Sequence, residues 1–129
     1  MFKGHGFIVL ERKYWLCKVN SKDAILNDDT LALIKEIDNS WSTLSSKRVG
    51  CECIGPYAVL IFDSTTPDTI GFLATITHIL AKERIPILAY SSYDRDYILV
   101  PQVMVEKAIK ALIGYGFILR ESSVGDSKI

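Results

Sequence analysis

Residues 57–121 read YAVLIFDSTTPDTIGFLATITHILAKERIPILAYSSYDRDYILVPQVMVEKAIKALIGYGFILRE. The opening run Tyr57–Phe62 is β-branched and aromatic, which predicts a strand. Asp63-Ser64-Thr65-Thr66-Pro67-Asp68-Thr69 follows, a cluster of turn and N-cap formers. From Ile70 to Glu83, Phe72, Leu73, Ile76, Ile79 and Leu80 recur at helical spacing, with Thr75, His78 and Lys82 on the opposite face. Pro86 stops this helix. Ile87–Ser92 is a short apolar strand, Tyr93-Asp94-Arg95 turns the chain, and Tyr97–Val100 is the next strand. Pro101 opens a second helix with Val105, Ala108, Ile109 and Leu112 inward and Glu106 and Lys110 placed as an i,i+4 pair. Gly114 and Gly116 end it, and Phe117–Leu119 is the last strand. The order strand, helix, strand, strand, helix, strand is the split βαβ pattern of a ferredoxin-like α+β sandwich. The strands are short and a hairpin joins the middle two, so both helices must cover one face of an antiparallel sheet.

The preceding half is a weaker echo. Residues 49–62 read VGCECIGPYAVLIF, and the Gly55-Pro56 break predicts a separate strand at Cys51–Cys53. Tyr14–Val19 alternates as a strand. Asp28 or Asp29 is placed to cap a helix carrying Leu31, Ile34 and Ile37. Trp41–Ser45 and Val49–Cys53 fit a hairpin around Ser46-Lys47-Arg48. The expected organisation is a truncated unit over residues 1–54, a complete unit over 55–121 and a tail over 122–129.

Composition narrows the function. Of 129 residues 49% are hydrophobic and 23% charged, which excludes a disordered chain. Fifteen Lys and Arg balance fifteen Asp and Glu, so the chain lacks the basic footprint of a nucleic-acid binder and the basic patch that anionic membranes attract. Apolar runs such as Tyr57–Phe62 fall far short of the roughly twenty residues of a membrane span. The apolar run in MFKGHGFIVLERK is likewise too short for a signal-peptide core. The three cysteines are an odd number, and Cys51 and Cys53 are too close to pair comfortably. Each reads as a small buried hydrophobe, and the expected compartment is reducing and cytosolic. C-x-C without nearby histidine is a poor zinc site. His5 and His78 are the only histidines. His78 sits on the outer face of its helix, no Ser/His/Asp set assembles, and there is no nucleophile elbow. The expectation is a protein with no catalytic site, metal or cofactor.

Two loops carry the polar chemistry. Asp63–Phe72 joins a strand to a helix start, whose free N–H groups and partial positive charge suit a carboxylate. Gly71 lies in the predicted first turn, where it costs helix propensity and suggests close approach by a ligand or another backbone. Ser91-Ser92-Tyr93-Asp94-Arg95-Asp96 is a hairpin offering hydroxyls and acids. In this sandwich the helix start and a neighbouring strand end can share an edge, giving donors for a carboxylate and acceptors for an ammonium.

DSTTPDTIGFLATITHILAKERIPILAYSSYDRDYILVP resembles an ACT domain, the small-molecule-sensing module of amino-acid metabolism, and in particular the tandem ACT proteins related to the CASTOR-type arginine sensors. The likeness lies in the Ile70-Gly71 step, in Ala81-Lys82-Glu83-Arg84-Ile85-Pro86-Ile87, and above all in Ser91–Val100. The resemblance implies ligand contacts from Thr66, Asp68, Thr69, Ile70, Gly71 and Phe72 on the loop and from Ser91, Ser92 and Asp96 on the hairpin, at an interface between ACT units. The arginine sensors of that group carry an acid where Thr69 stands, so the guanidinium partner is missing there, with Asp68 adjacent. It implies a cytosolic, non-catalytic regulator that binds a small molecule, an amino acid, and forms a homodimer or higher oligomer, without nucleic acid or membrane partners. The rival expectation is an orphan interaction module that dimerises or docks onto an enzyme. An acylphosphatase-like enzyme would need an arginine in a glycine-rich loop, which the chain lacks.

Overall fold

The computed structural model describes residues 2–66 and 69–121. Its elements are β1 (Gly6–Val9), β2 (Tyr14–Val19), β3 (Thr30–Lys35), β4 (Trp41–Ser45), β5 (Cys53–Phe62), α1 (Phe72–Lys82), β6 (Leu88–Ser91), β7 (Asp96–Pro101), α2 (Val105–Tyr115) and β8 (Ile118–Leu119). A 3₁₀ turn, Gln102–Met104, precedes α2. The described residues form two compact units, residues 2–10 with 58–121, and residues 11–57.

The first unit has the expected βαββαβ order over β5, α1, β6, β7, α2 and β8. Its hydrogen-bonded strand order is β8-β1-β5-β7-β6. β1 is an addition that the sequence reading passed over. It runs antiparallel to β5, with Phe7 opposite Phe62, and parallel to β8, with Phe7 opposite Leu119. The boundary expected near residue 54 therefore moves, because residues 2–10 complete the second half's sheet. Both helices bury an apolar stripe at i, i+4, i+8 or i, i+4: Phe72, Ile76 and Leu80 from α1, and Ala108 and Leu112 from α2. These pack with Phe7, Leu60, Phe62, Ile98, Val100 and Phe117 in one core. Phe62, Phe72 and Phe117 meet edge to face, with ring centroids 5.4–6.2 Å apart.

The second unit is all-antiparallel, in the order β3-β4-β2 followed by the first half of β5. Four expectations are corrected here. The predicted helix around Leu31, Ile34 and Ile37 is strand β3, with Ala32 opposite Leu44 and Ile34 opposite Ser42. The spacing of those three residues suited a helix, but the continuous run Leu31–Ile34 and the Asp38-Asn39 turn after it suit a strand equally, and pairing with β4 decides. The Asp29 carboxylate caps no helix. It accepts a 3.0 Å hydrogen bond from Ser46 and lies 3.6 Å from both Arg12 and Lys47. The Ser46 hydrogen bond, aided by the two cations and opposed by burial, holds its pKa below the ordinary value. β4 pairs with β2 and β3, not with the segment after residue 49. Finally, Gly55-Pro56 does not break the chain into two strands: β5 runs through it, with a cis peptide bond there.

The cysteines also differ from expectation. Cys17 and Cys53 face each other across β2 and β5 and form a disulfide, and Cys51 is exposed. Cys17 alone is fully buried. The bond removes cysteine usage as an argument for a reducing compartment.

Candidate functional site

β5 ends at Phe62, and Asp63 roots the loop that leads to α1. Three groups hold that root. The Asp63 N–H donates to Gly6 O at 2.9 Å, and its carboxylate accepts from the Gly6 N–H at 3.0 Å. The Arg120 guanidinium, just past β8, forks onto the same carboxylate from Nε at 3.1 Å and Nη2 at 2.9 Å. The His5 ring bonds Asp63 O at 2.9 Å and lies against Phe72, with ring centroids 4.6 Å apart. Burial works against the charge on Asp63. The hydrogen bonds from Arg120 and Gly6, with the charges of Arg120 and His5, outweigh it and hold the carboxyl below its ordinary pKa.

From that root the chain crosses to the β6–β7 hairpin, where the Thr65 N–H donates to Asp94 O at 2.8 Å. The Thr66 and Thr69 hydroxyls meet at 3.0 Å. In the hairpin, Ser91 pairs with Asp96 across the strands, and its hydroxyl donates to the Asp96 carboxylate at 2.8 Å. The Ser92 N–H closes the turn onto Arg95 O at 2.9 Å.

Loop and hairpin enclose a cleft of about 320 Å³. It gathers Thr66, Thr69, Phe72, Ser91, Ser92 and Asp96 from the residues expected at a site. It also gathers Thr65, Tyr93, Asp94 and Arg95, which belong to the two polar loops but are not among the expected ligand contacts, and Leu73. Tyr93, Asp94 and Arg95 were visible as the turn between two strands, and Arg95 adds a cation to a rim otherwise made of hydroxyls and acids. Asp68 lies outside the described residues.

Two expected residues lie elsewhere. Ile70 is 88% exposed and is not part of the cleft lining. Gly71 is the N-cap of α1, in the left-handed conformation with φ 83°, and no side chain caps the helix. A Cβ on Gly71 would meet nothing within 4 Å. The glycine is thus accounted for by its backbone angle, not by close approach of a neighbour. It lines a separate groove of about 740 Å³ across the outer faces of α1 and α2, with Ala74, Thr75, His78, Ala111 and Gly114. His78 is exposed there, as expected.

Among the described residues no group of three or more His, Cys, Asp or Glu side chains is placed to hold a metal, and no helix is long and apolar enough to cross a membrane. The cleft gathers hydroxyl groups, the Asp94 and Asp96 carboxylates and the Arg95 guanidinium beside Phe72 and Leu73, the first two residues of α1.

No curated protein matches this sequence. Solved structures do match the fold. A protein of Agobacterium tumefaciens superposes with a TM-score of 0.75 at 18% identity, over 92% of this chain and 94% of its own. A Vibrio cholerae protein of unknown function gives 0.73 at 19% identity, over 88% of this chain and 91% of its own. The aspartate kinase of Clostridium acetobutylicum, an allosteric enzyme, gives 0.66 at 12% identity, over 85% of this chain but 34% of the kinase. Residues 53–113, which carry the cleft loop, the hairpin and most of both helices, match the family model of the ACT domain.

Proposed function

We propose that this chain is a non-catalytic, ACT-type regulatory protein that binds a free amino acid in the cleft between the Thr65–Phe72 loop and the Ser91–Asp96 hairpin. The observation that carries the reading is the convergence of Thr66, Thr69, Ser91, Ser92 and Asp96 on one 320 Å³ cleft beside an α1 N-terminus without a side-chain cap. That volume is at the small end of the range for ligand pockets, in keeping with an amino acid. In this reading the ligand's carboxylate takes the helix N–H groups, with the Arg95 guanidinium near, and its ammonium takes Asp96. The Thr66 and Thr69 hydroxyls fix orientation.

The reading places the protein in the cytoplasm, where free amino acids report metabolic state, and as a homodimer. Among the described residues β6 pairs only with β7, so the outer edge of β6, beside Ser91, is open to a second copy. Light scattering at high micromolar concentration should give about twice the 14.4 kDa of one chain, and a monomer mass would remove the dimer. A second reading, an interaction module without a ligand, draws on the internal Ser91–Asp96 hydrogen bond, which gives the acid a structural partner.

A thermal-shift screen with the twenty amino acids, followed by calorimetric titration, separates the two. A ligand at 100 times its Kd stabilises by about 2.7 kcal/mol, a shift of several degrees. Twenty flat melting curves and flat titrations would refute the sensor reading.

A further inference from the structure

The second unit holds a sulfur cluster apart from the cleft just described. Cys17 on β2 is bonded to Cys53 on β5, in direct register across the ladder. Cys51 is a free, exposed thiol two residues before Cys53. Cys17, Cys51 and Cys53 line one surface depression of about 420 Å³, together with Leu16, Lys18 and Ile54. The ladder fixes Cys17 against Cys53 and ends there. Leu16 faces Ile54 and Cys17 faces Cys53, and the Lys18 N–H donates to Glu52 O at 2.9 Å. Cys51 lies in the bend just before the ladder, in a turn whose Val49 N–H meets Cys17 Sγ at 3.5 Å. A disulfide needs roughly 4.4–6.8 Å between Cα atoms, so the exchange calls for a movement of this bend toward Cys17. The chain can supply it. Cys51 lies just outside β5, and Gly50 before it has φ 75° and open space around its Cα.

We propose that these three cysteines form an intramolecular thiol–disulfide exchange site in which Cys17 alternates between Cys53 and Cys51. Cys51 loses its proton to solvent, and the thiolate attacks Cys17 Sγ. A Cys17–Cys51 bond forms as the Cys17–Cys53 bond breaks, and Cys53 leaves as a thiolate that takes a proton from solvent. The step is redox-neutral and needs no outside oxidant. It moves the staple on β2 from Cys53, at the end of the ladder, to the bend before it, and leaves Cys53 as the free thiol. Cys51 is exposed and is the attacking group, and the buried Cys17 is reached by the same movement of the bend.

The linkage can be read directly. Unreduced protein is quenched in acid, its free thiols are blocked with a maleimide, and it is cut with trypsin and a glutamate-specific protease. Cleavage after Glu52 puts Cys51 and Cys53 on different peptides, so the isomers differ in mass. The expected result is both Cys17–Cys53 and Cys17–Cys51 peptides from the wild type, and only Cys17–Cys53 from Cys51→Ser. Cys53→Ser should hold a Cys17–Cys51 bond, which shows that the thiol reaches. Wild-type protein that carries Cys17–Cys53 alone, or that takes the label on all three cysteines, would overturn the proposal even if neither variant folds.

Discussion

Gly71 and Gly114 line the same groove, and at both a Cβ would meet nothing within 4 Å. Sterics therefore predict the same outcome for alanine at each. The backbone predicts opposite outcomes. Gly71 has φ 83° as the N-cap of α1, whereas Gly114 sits inside α2 without a positive φ. A left-handed conformation costs an L-residue about 1–2 kcal/mol. Restricting the unfolded chain by replacing glycine with alanine returns about 0.4–1 kcal/mol. Gly71→Ala should thus be destabilised by about 0.5–1 kcal/mol. Gly114→Ala has no such penalty and gains helix propensity, so it should be stabilised by up to about 1 kcal/mol. The variants should differ by about 1.5–2 kcal/mol, or several degrees in Tm for a chain of this length. Gly71→Asn should lie close to wild type, because asparagine tolerates the left-handed region and is a good N-cap. Urea titration by circular dichroism, with m held common, measures all three. Gly71→Ala at or above wild-type stability would refute the backbone account and reopen close approach by a ligand or partner as the reason for the glycine.

Asp96→Asn keeps the size and the acceptor that meets Ser91, but it removes the charge that the proposed site sets against an amino acid's ammonium. Loss of a charge-assisted hydrogen bond worth about 1.5–3 kcal/mol should weaken binding roughly ten- to a hundredfold, with the apo Tm nearly unchanged, as calorimetry and melting would show. A large fall in the apo Tm with unchanged affinity would make Asp96 a hairpin residue only. Leu80→Ala empties a fully buried position in the first unit's core and should cost about 2–5 kcal/mol by urea denaturation. A Cβ on Gly6 would take the place of the Arg120 guanidinium, so Gly6→Ala and Arg120→Met should each lower the Tm, and the double variant should fall no further than the worse single one. The Asp63 pKa is depressed in the folded state, so its stabilising contribution is complete above its unfolded pKa of about 3.9 and is lost as pH falls through the lower folded value. The stability gap between wild type and Asp63→Asn should therefore be constant from neutral pH to about pH 5 and should close as the solution is acidified below about pH 4. A gap that closed near neutrality instead would contradict the Arg120 clamp.

The second half was legible because its signals are long and mutually consistent. An eleven-residue helix such as α1 shows three turns of apolar spacing, and Pro86, Pro101 and Gly116 punctuate where the structure turns. The first half offers no such length. Leu31, Ile34 and Ile37 match a helical stripe, yet four of the residues from 31 to 34 are apolar in a row, and only the pairing with Thr43 and Leu44 on β4 chooses between the two periods. β1 was missed for the same reason: four residues carry no period, and its place depends on Phe7 meeting Phe62, fifty-five positions away. The Cys17–Cys53 bond, between residues 36 apart, is likewise a product of register that C-x-C spacing cannot show. The cleft was half-visible. Its loop and its hairpin each read as polar turns, but the Thr65–Asp94 hydrogen bond is what joins them, and it brings Asp94 and Arg95 in with the serines. Ile70 and Gly71 were assigned to the same site because the helix was expected to start at Ile70. With α1 starting at Phe72 and Gly71 left-handed before it, Gly71 lines the outer groove and Ile70 is left exposed. The consequence for ligand choice is physical. The glycine step contributes no cleft wall, so in the proposed sensor discrimination between amino acids rests on Arg95 and Asp96 of the hairpin for charge, and on Tyr93 of the hairpin with Leu73 of α1 for apolar contact.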